Sequence, residues 1–256
     1  MHHRCVYSAE TIDEVLRRFA GGTSLNALAR STGISRGTLA NWRAGRRPTH
    51  ESCRWLPRVR PVDVAQDTPG DYAYLLGLYL GDGHLVEFQR NCWALRLAMD
   101  GQYPELIASA RDAMLACRGG GKASARCVPG SRCVIVTSYS KSWPELLPQH
   151  GPGRKHERPI ILAPWQEDLT ASYARELVRG LIHSDGCRFV AKQRMPKRTY
   201  EYVRYGFTNH SEDIRNIFTN HLELLDIAWT QSNWKTVQIA RKDDVQKLDA
   251  FIGPKR

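Results

Sequence analysis

The chain has 256 residues, 42% hydrophobic and 25% charged. That is enough for one sizeable core and a small satellite domain, with no apolar stretch long enough to span a membrane. A formal charge of +11 favours a polyanionic partner, and the excess is uneven, with eleven Lys or Arg against four Asp or Glu in residues 1–60. The seven cysteines form no Cys-x-x-Cys pair. Around Cys127 and Cys133, the closest two, no His or Cys cluster completes a tetrahedral zinc set, so reduced thiols without a structural metal are expected. No apolar secretory segment follows Met1-His2-His3-Arg4, and the expected location is cytoplasmic, at the nucleoid.

The first expected helix covers residues 8–19, with Ile12, Val15, Leu16 and Phe19 as its apolar stripe. Gly21-Gly22 breaks it. A second helix runs from Ser24 to about Arg30, Thr32-Gly33-Ile34 turns the chain, and Ser35 caps a third helix carrying Leu39 and Trp42. This spacing resembles the helix-turn-helix units of bacterial regulators and recombinases. In such a unit the third helix enters the major groove. Arg36, Thr38 and Asn41 would then meet base edges or their surroundings, while Arg43, Arg46 and Arg47 would meet phosphates.

Residues 1–47 are therefore read as a helix-turn-helix domain, and residues 48–70 as a basic Pro/Arg-rich linker. Pro48, Pro57, Pro61 and Pro69 oppose a long helix there, and Arg54 and Arg58 could follow a phosphate backbone. From residue 71 to 256 one order of elements occurs twice, over about 71–165 and 171–256. A helix leads into a hairpin, a second helix, a second hairpin and a last helix. The first half has hairpins turning at Arg90-Asn91 and Pro129-Gly130. It ends in the loop Gly151–His156, where Arg154 and Lys155 are expected to be exposed and to face phosphate. In the second half Arg188, Lys192 and Arg194 share one strand face, with Lys197, Arg198 and Arg204 nearby. This hairpin is expected to present a basic surface to nucleic acid.

Each half opens on a matched stretch: Leu76-Gly77-Leu78-Tyr79-Leu80-Gly81-Asp82-Gly83 and Arg179-Gly180-Leu181-Ile182-His183-Ser184-Asp185-Gly186. Gly77 and Gly81, like Gly180 and Ser184, lie four apart on one helix face and let another backbone approach closely. Gly83 and Gly186 are expected to stop the helices in a left-handed conformation. Asp82 and Asp185 then stand at helix C-termini, where the dipole is already negative. Two carboxylates brought together there repel each other unless something positive lies between them, and a divalent cation is the natural occupant.

These stretches resemble the paired signature of the LAGLIDADG homing endonucleases, as do Tyr205–Ser211, where a strand ends in Phe-x-Asn before a helix, and the terminal Leu248–Gly253. The resemblance implies an α+β, pseudo-twofold, duplicated αββαββα fold whose two antiparallel sheets form a saddle over double-stranded DNA. Asp82 and Asp185 would hold Mg²⁺ or Mn²⁺ near two scissile phosphates, with cuts across the minor groove leaving staggered ends. Lys122 in the first half and Lys235 or Gln231 in the second would assist, and His183 would pack inside its helix pair. A single chain with internal symmetry implies a monomer. The alternative is a non-cleaving DNA-binding transcriptional regulator built from the same parts, with RNA binding a third possibility.

Overall fold

The computed structural model describes residues 7, 9–45, 62–195, 198–253 and 255. The chain divides into two compact units, Met1–Leu56 and Pro57–Arg256. The first contains α1 (Ala9–Ala20), α2 (Leu25–Thr32) and α3 (Arg36–Arg43). Ser24 and Ser35 accept hydrogen bonds from the backbone N–H groups of Ala27 and Thr38, satisfying amides that the first turns of α2 and α3 leave open. Gly33 takes the left-handed conformation that ends α2, at φ 69°. Ile12, Val15, Leu28, Ile34, Leu39 and Trp42 close a small core. Arg36, Asn41 and Arg43 are exposed on α3, whereas Thr38 is half-buried, its hydroxyl paired with Ser35. Arg46, Arg47, Arg54 and Arg58 lie outside the described residues.

The second unit is built twice over. Its first half is α4 (Pro69–Asp82), β1 (Gly83–Phe88), β2 (Cys92–Asp100), α5 (Pro104–Arg118), β3 (Ala123–Cys127), β4 (Cys133–Ser140) and the single turn α6 (Trp143–Leu146). The helix α7 (Pro164–Ser172) bridges to the second half and has no counterpart among the expected elements. That half is α8 (Ala174–Asp185), β5 (Gly186–Met195), β6 (Arg198–Thr208), α9 (Glu212–Leu224), β7 (Thr230–Asn233), β8 (Thr236–Ile239) and α10 (Lys242–Ile252). The antiparallel sheets have matching strand orders, β1-β2-β4-β3 and β5-β6-β8-β7. The fold is thus the duplicated αββαββα arrangement that the resemblance implied.

One core serves both halves, with Tyr72, Leu76, Leu80, Leu97, Val136, Leu181, Phe207 and Phe218 among its members. Every residue of α4 from Tyr72 to Leu80 is buried, as befits a helix covered all round. Of the expected linker 48–70, residues 48–61 lie outside the described residues; Val64 is buried in this core, and α4 begins at Pro69. A proline at the first helical position costs no hydrogen bond, so Pro69 starts the helix where it had been expected to oppose one.

Helices α4 and α8 meet backbone to backbone. A Cβ added to Gly77 would lie 2.5 Å from the Leu177 carbonyl oxygen, and one added to Gly180 would lie 2.3 Å from that of Tyr74. Ser184 Oγ fits the same seam and donates within its own helix, to the carbonyls of Gly180 (3.1 Å) and Leu181 (3.0 Å). Gly83 and Gly186 do not take the expected left-handed conformation: both are extended, at φ −97° and −102°. The chain passes straight from helix into strand there. Glycine is required because a Cβ would come within 2.6 Å of Tyr79 Cα or Ile182 Cα.

Gly180→Ala should therefore lower stability by about 3 kcal/mol or more in chemical denaturation, since both sides of the clash are backbone. Gly37→Ala, in an exposed turn of α3 with nothing within 4 Å, should be neutral or raise stability by up to about 1 kcal/mol.

Candidate active site

The seam sets the two motif aspartates side by side, since Asp82 and Asp185 are the last residues of α4 and α8. A Cβ on Gly81, the residue before Asp82, would stand 3.0 Å from Asp185 Oδ2. Two negative helix ends and two carboxylates thus converge in a largely buried place. Burial, and then the Asp185 carboxylate, push the Asp82 pKa up to about 6, against the pull of Lys155 and Lys255. Asp185 is also raised by burial, but a 2.6 Å hydrogen bond from Asn209 Nδ2 moderates the shift. No hydrogen-bond donor among the described residues does the same for Asp82.

The sequence singled out the aspartates but not the groups that answer their charge. Lys155 is half-buried, not exposed as expected. Its ammonium reaches back to the end of α4 and donates to the carbonyl of Tyr79 and to those of Leu80 (2.8 Å) and Gly81 (2.9 Å), groups of the last turn that a helix terminus leaves short of partners. Burial presses its pKa down to about 8, although Asp185 and Asp82 both favour its charge. From beyond α10, Lys255 donates to the Gly186 carbonyl, just past the end of α8. Burial lowers its pKa as well, while Asp82 pulls the other way. Each repeat therefore sends one lysine, from the chain after its last helix, to the aspartate pair.

The other expected helpers stand further away. Lys122 is exposed before β3, where its carbonyl accepts from Arg118 (3.1 Å). Gln231 is exposed in β7, opposite Val237. Lys235 comes nearest, because its carbonyl accepts from the Asn209 backbone, but its ammonium lies over the Trp234 ring. His183 packs as expected, Nδ1 against the Tyr74 hydroxyl and Nε2 against the Ile252 carbonyl, both at 3.0 Å. Burial lowers its pKa to about 4.

Strand register decides which basic residues each sheet offers. Side chains paired directly across an antiparallel ladder share a face. Arg188, Val190 and Lys192 pair with Tyr205, Val203 and Glu201, on the face that turns toward the helices. Arg188 is there bound in two hydrogen bonds to Asp249 of α10, and Lys192 to Glu201 at 2.8 Å. Arg194 shares that parity. The uncovered face instead carries Phe189, Gln193, Arg198, Tyr200, Tyr202 and Arg204, with the two tyrosine rings stacked 6.3 Å apart. Lys197 lies outside the described residues, and Arg154 is exposed.

In the first sheet the uncovered face carries His84, Phe88, Arg96, Arg126, Thr137 and Tyr139. The Arg96 guanidinium lies 5.8 Å from the centre of the Phe88 ring. Arg96 and Arg126 were not among the expected contacts, though their alternation with buried Leu95, Leu97 and Ala123 marks that face in the sequence.

Among the described residues no three His, Cys, Asp or Glu side chains group to hold a metal. Two carboxylates on a negative helix end still suit a hard cation such as Mg²⁺ or Mn²⁺, which completes its shell with water and substrate phosphate oxygens. Asp82, half-buried and without a hydrogen-bond donor among the described residues, is the position where such charge is wanted.

No protein-family model matches the sequence, and no curated protein does. Solved structures similar to the chain include the LAGLIDADG meganuclease I-AabMI bound to uncleaved DNA, at 13% identity and TM-score 0.46 over 70% of this chain and 82% of that one. The I-LtrWI LAGLIDADG homing endonuclease bound to target DNA is similar at 11% identity and TM-score 0.45, over 72% and 81%. I-SmaMI bound to cleaved DNA is similar at 10% identity and TM-score 0.47, over 71% and 83%. The fold itself is fixed by the strand orders and the helix seam. Among the described residues no helix is long and apolar enough to cross a membrane.

Removing the less satisfied charge should relax the protein. In chelator at pH 7.5, Asp82→Asn is expected to raise unfolding free energy by about 1–3 kcal/mol, the scale of a carboxylate held above its ordinary pKa. An unchanged or lower denaturation midpoint would mean that the lysines already neutralise the pair.

Proposed function

We propose that the chain is a site-specific, divalent-metal-dependent double-strand DNA endonuclease that cuts across the minor groove to leave staggered ends. The observation that carries this reading is the juxtaposition of Asp82 and Asp185 at the ends of two abutting helices, between two uncovered sheet faces rich in Arg and aromatic side chains. A purely structural seam gains nothing from two half-buried carboxylates at negative helix ends.

In this reading Asp82 and Asp185 hold the cation and Asn209 fixes the Asp185 carboxylate. When bound, the cation supplies charge for the phosphodiester transition state and lowers the pKa of water. Lys155 and Lys255 keep the site from excess negative charge as phosphates enter. Arg96, Arg126, Arg198 and Arg204 meet the backbone or base edges from the open faces. The three-helix unit adds affinity through Arg36, Asn41 and Arg43, in the manner of a helix-turn-helix. One chain contributes both aspartates, so a monomer suffices for both cuts.

A randomised duplex pool incubated with the full chain tests the proposal. In Mg²⁺ or Mn²⁺ a subset should be cut with a constant stagger, and in Ca²⁺ the same subset should be bound intact. Asp82→Asn with Asp185→Asn should abolish cutting, by at least about a hundredfold, and leave binding in place. Selective binding with no cut in any of these metals would favour the non-cleaving regulator, and preference for RNA over duplex DNA would displace both.

A further inference from the structure

Beside the aspartates, on the first half alone, lies a cavity of about 270 Å³ between the start of β1 and the loop 151–158. Its polar walls come from His84, Arg154, Lys155 and Arg158, and no carboxylate lines it. Gly151 and Gly153 keep it open, for a Cβ at Gly151 would already be 3.4 Å from the Arg158 guanidinium carbon. The nearest acid in the loop, Glu157, is engaged elsewhere: it accepts from the Arg154 backbone N–H at 3.4 Å and faces His156 at 3.9 Å. Arg158 lines the cavity beside Tyr79, and its Nε is buried without a hydrogen-bond partner.

Such a donor is costly to leave unmet. Three cations and an imidazole around a small cavity, with a guanidinium N–H unsatisfied, call for a compact anion with several oxygens. Planar guanidinium forks match phosphate in both charge and geometry. In the second half, register places Cys187 where the first half has His84.

We infer that this cavity is a phosphate seat, which takes a backbone phosphodiester of the bound DNA strand at the Asp82 half of the site. The inference rests on the endonuclease reading for its ligand's source, but only on the binding part of it. Lys155 joins the two sites, since it lines the cavity and its ammonium reaches the end of α4. A phosphate held here fixes one strand relative to Asp82.

The test uses the full chain in Ca²⁺, so that cleavage plays no part. A duplex recovered from a randomised pool by binding, and inorganic phosphate as the second probe, are titrated against wild type, Arg158→Met and Arg158→Lys. Arg158→Met is expected to weaken both by about tenfold, the scale of one charged hydrogen-bonding group. It should also reduce the salt dependence of duplex binding by about one counterion. Arg158→Lys should recover the salt slope and only part of the affinity. If Arg158→Met fails to fold, Arg154→Met and Arg158→Lys carry the same comparison. Unchanged duplex affinity and salt slope in folded variants would overturn the inference, even if inorganic phosphate binding is lost, because the seat would then serve a free phosphate. A protein that binds in this way but never cuts would leave the seat standing and the endonuclease reading overturned.

Discussion

The close approach of α4 and α8 governs the rest of this molecule. Gly77 and Gly180 let two backbones touch, and no side chain other than hydrogen could stand at either place. Because the helices run together to their ends, their negative termini converge, and Asp82 and Asp185 add two charges where the field is already unfavourable. The sheets follow from the same contact. Each helix passes without a loop into the first strand of its sheet through an extended glycine, so the open sheet faces begin at the aspartates.

The chain answers this concentration of charge in several places. Lys155 and Lys255 approach from the segments after the last helix of each half, one capping the end of α4 and the other the first residue beyond α8. The symmetry is not complete. Gly83 pairs with Leu97 and Gly186 with Phe207, so the residue two further on is Met99 in one half and Asn209 in the other. Asp185 therefore has an amide donor where Asp82 has an apolar neighbour's position. Duplication supplies the scaffold, and the departures from it give the two half-sites different electrostatics.

Much of this was legible beforehand because periodicity and turn residues act locally. The two small-residue helices, the hairpins at Arg90-Asn91 and Pro129-Gly130 and the Ser35 cap are short-range features. What escaped were the facts set by packing. Alternation shows that Arg188, Lys192 and Arg194 share a face, but only the position of α10, with Asp249 waiting for Arg188, shows that the face is turned inward. A loop reading Gly-Pro-Gly-Arg-Lys-His looks solvated from composition alone. That Lys155 folds back onto α4 is a contact across 74 positions, for which the sequence carries no local sign. Lys255 lies near the chain end and was equally silent.

The central claim is that the Asp82–Asp185 pair is a divalent-cation site. Its most direct test is anomalous diffraction from crystals of the full chain with bound duplex, grown in Mn²⁺. The account predicts Mn²⁺ peaks at the Asp82 and Asp185 carboxylates, lost in crystals of the doubly substituted Asp82→Asn, Asp185→Asn protein. Duplex bound across both sheets with no Mn²⁺ at the aspartates, and with the Lys155 ammonium between the two carboxylates instead, would contradict it.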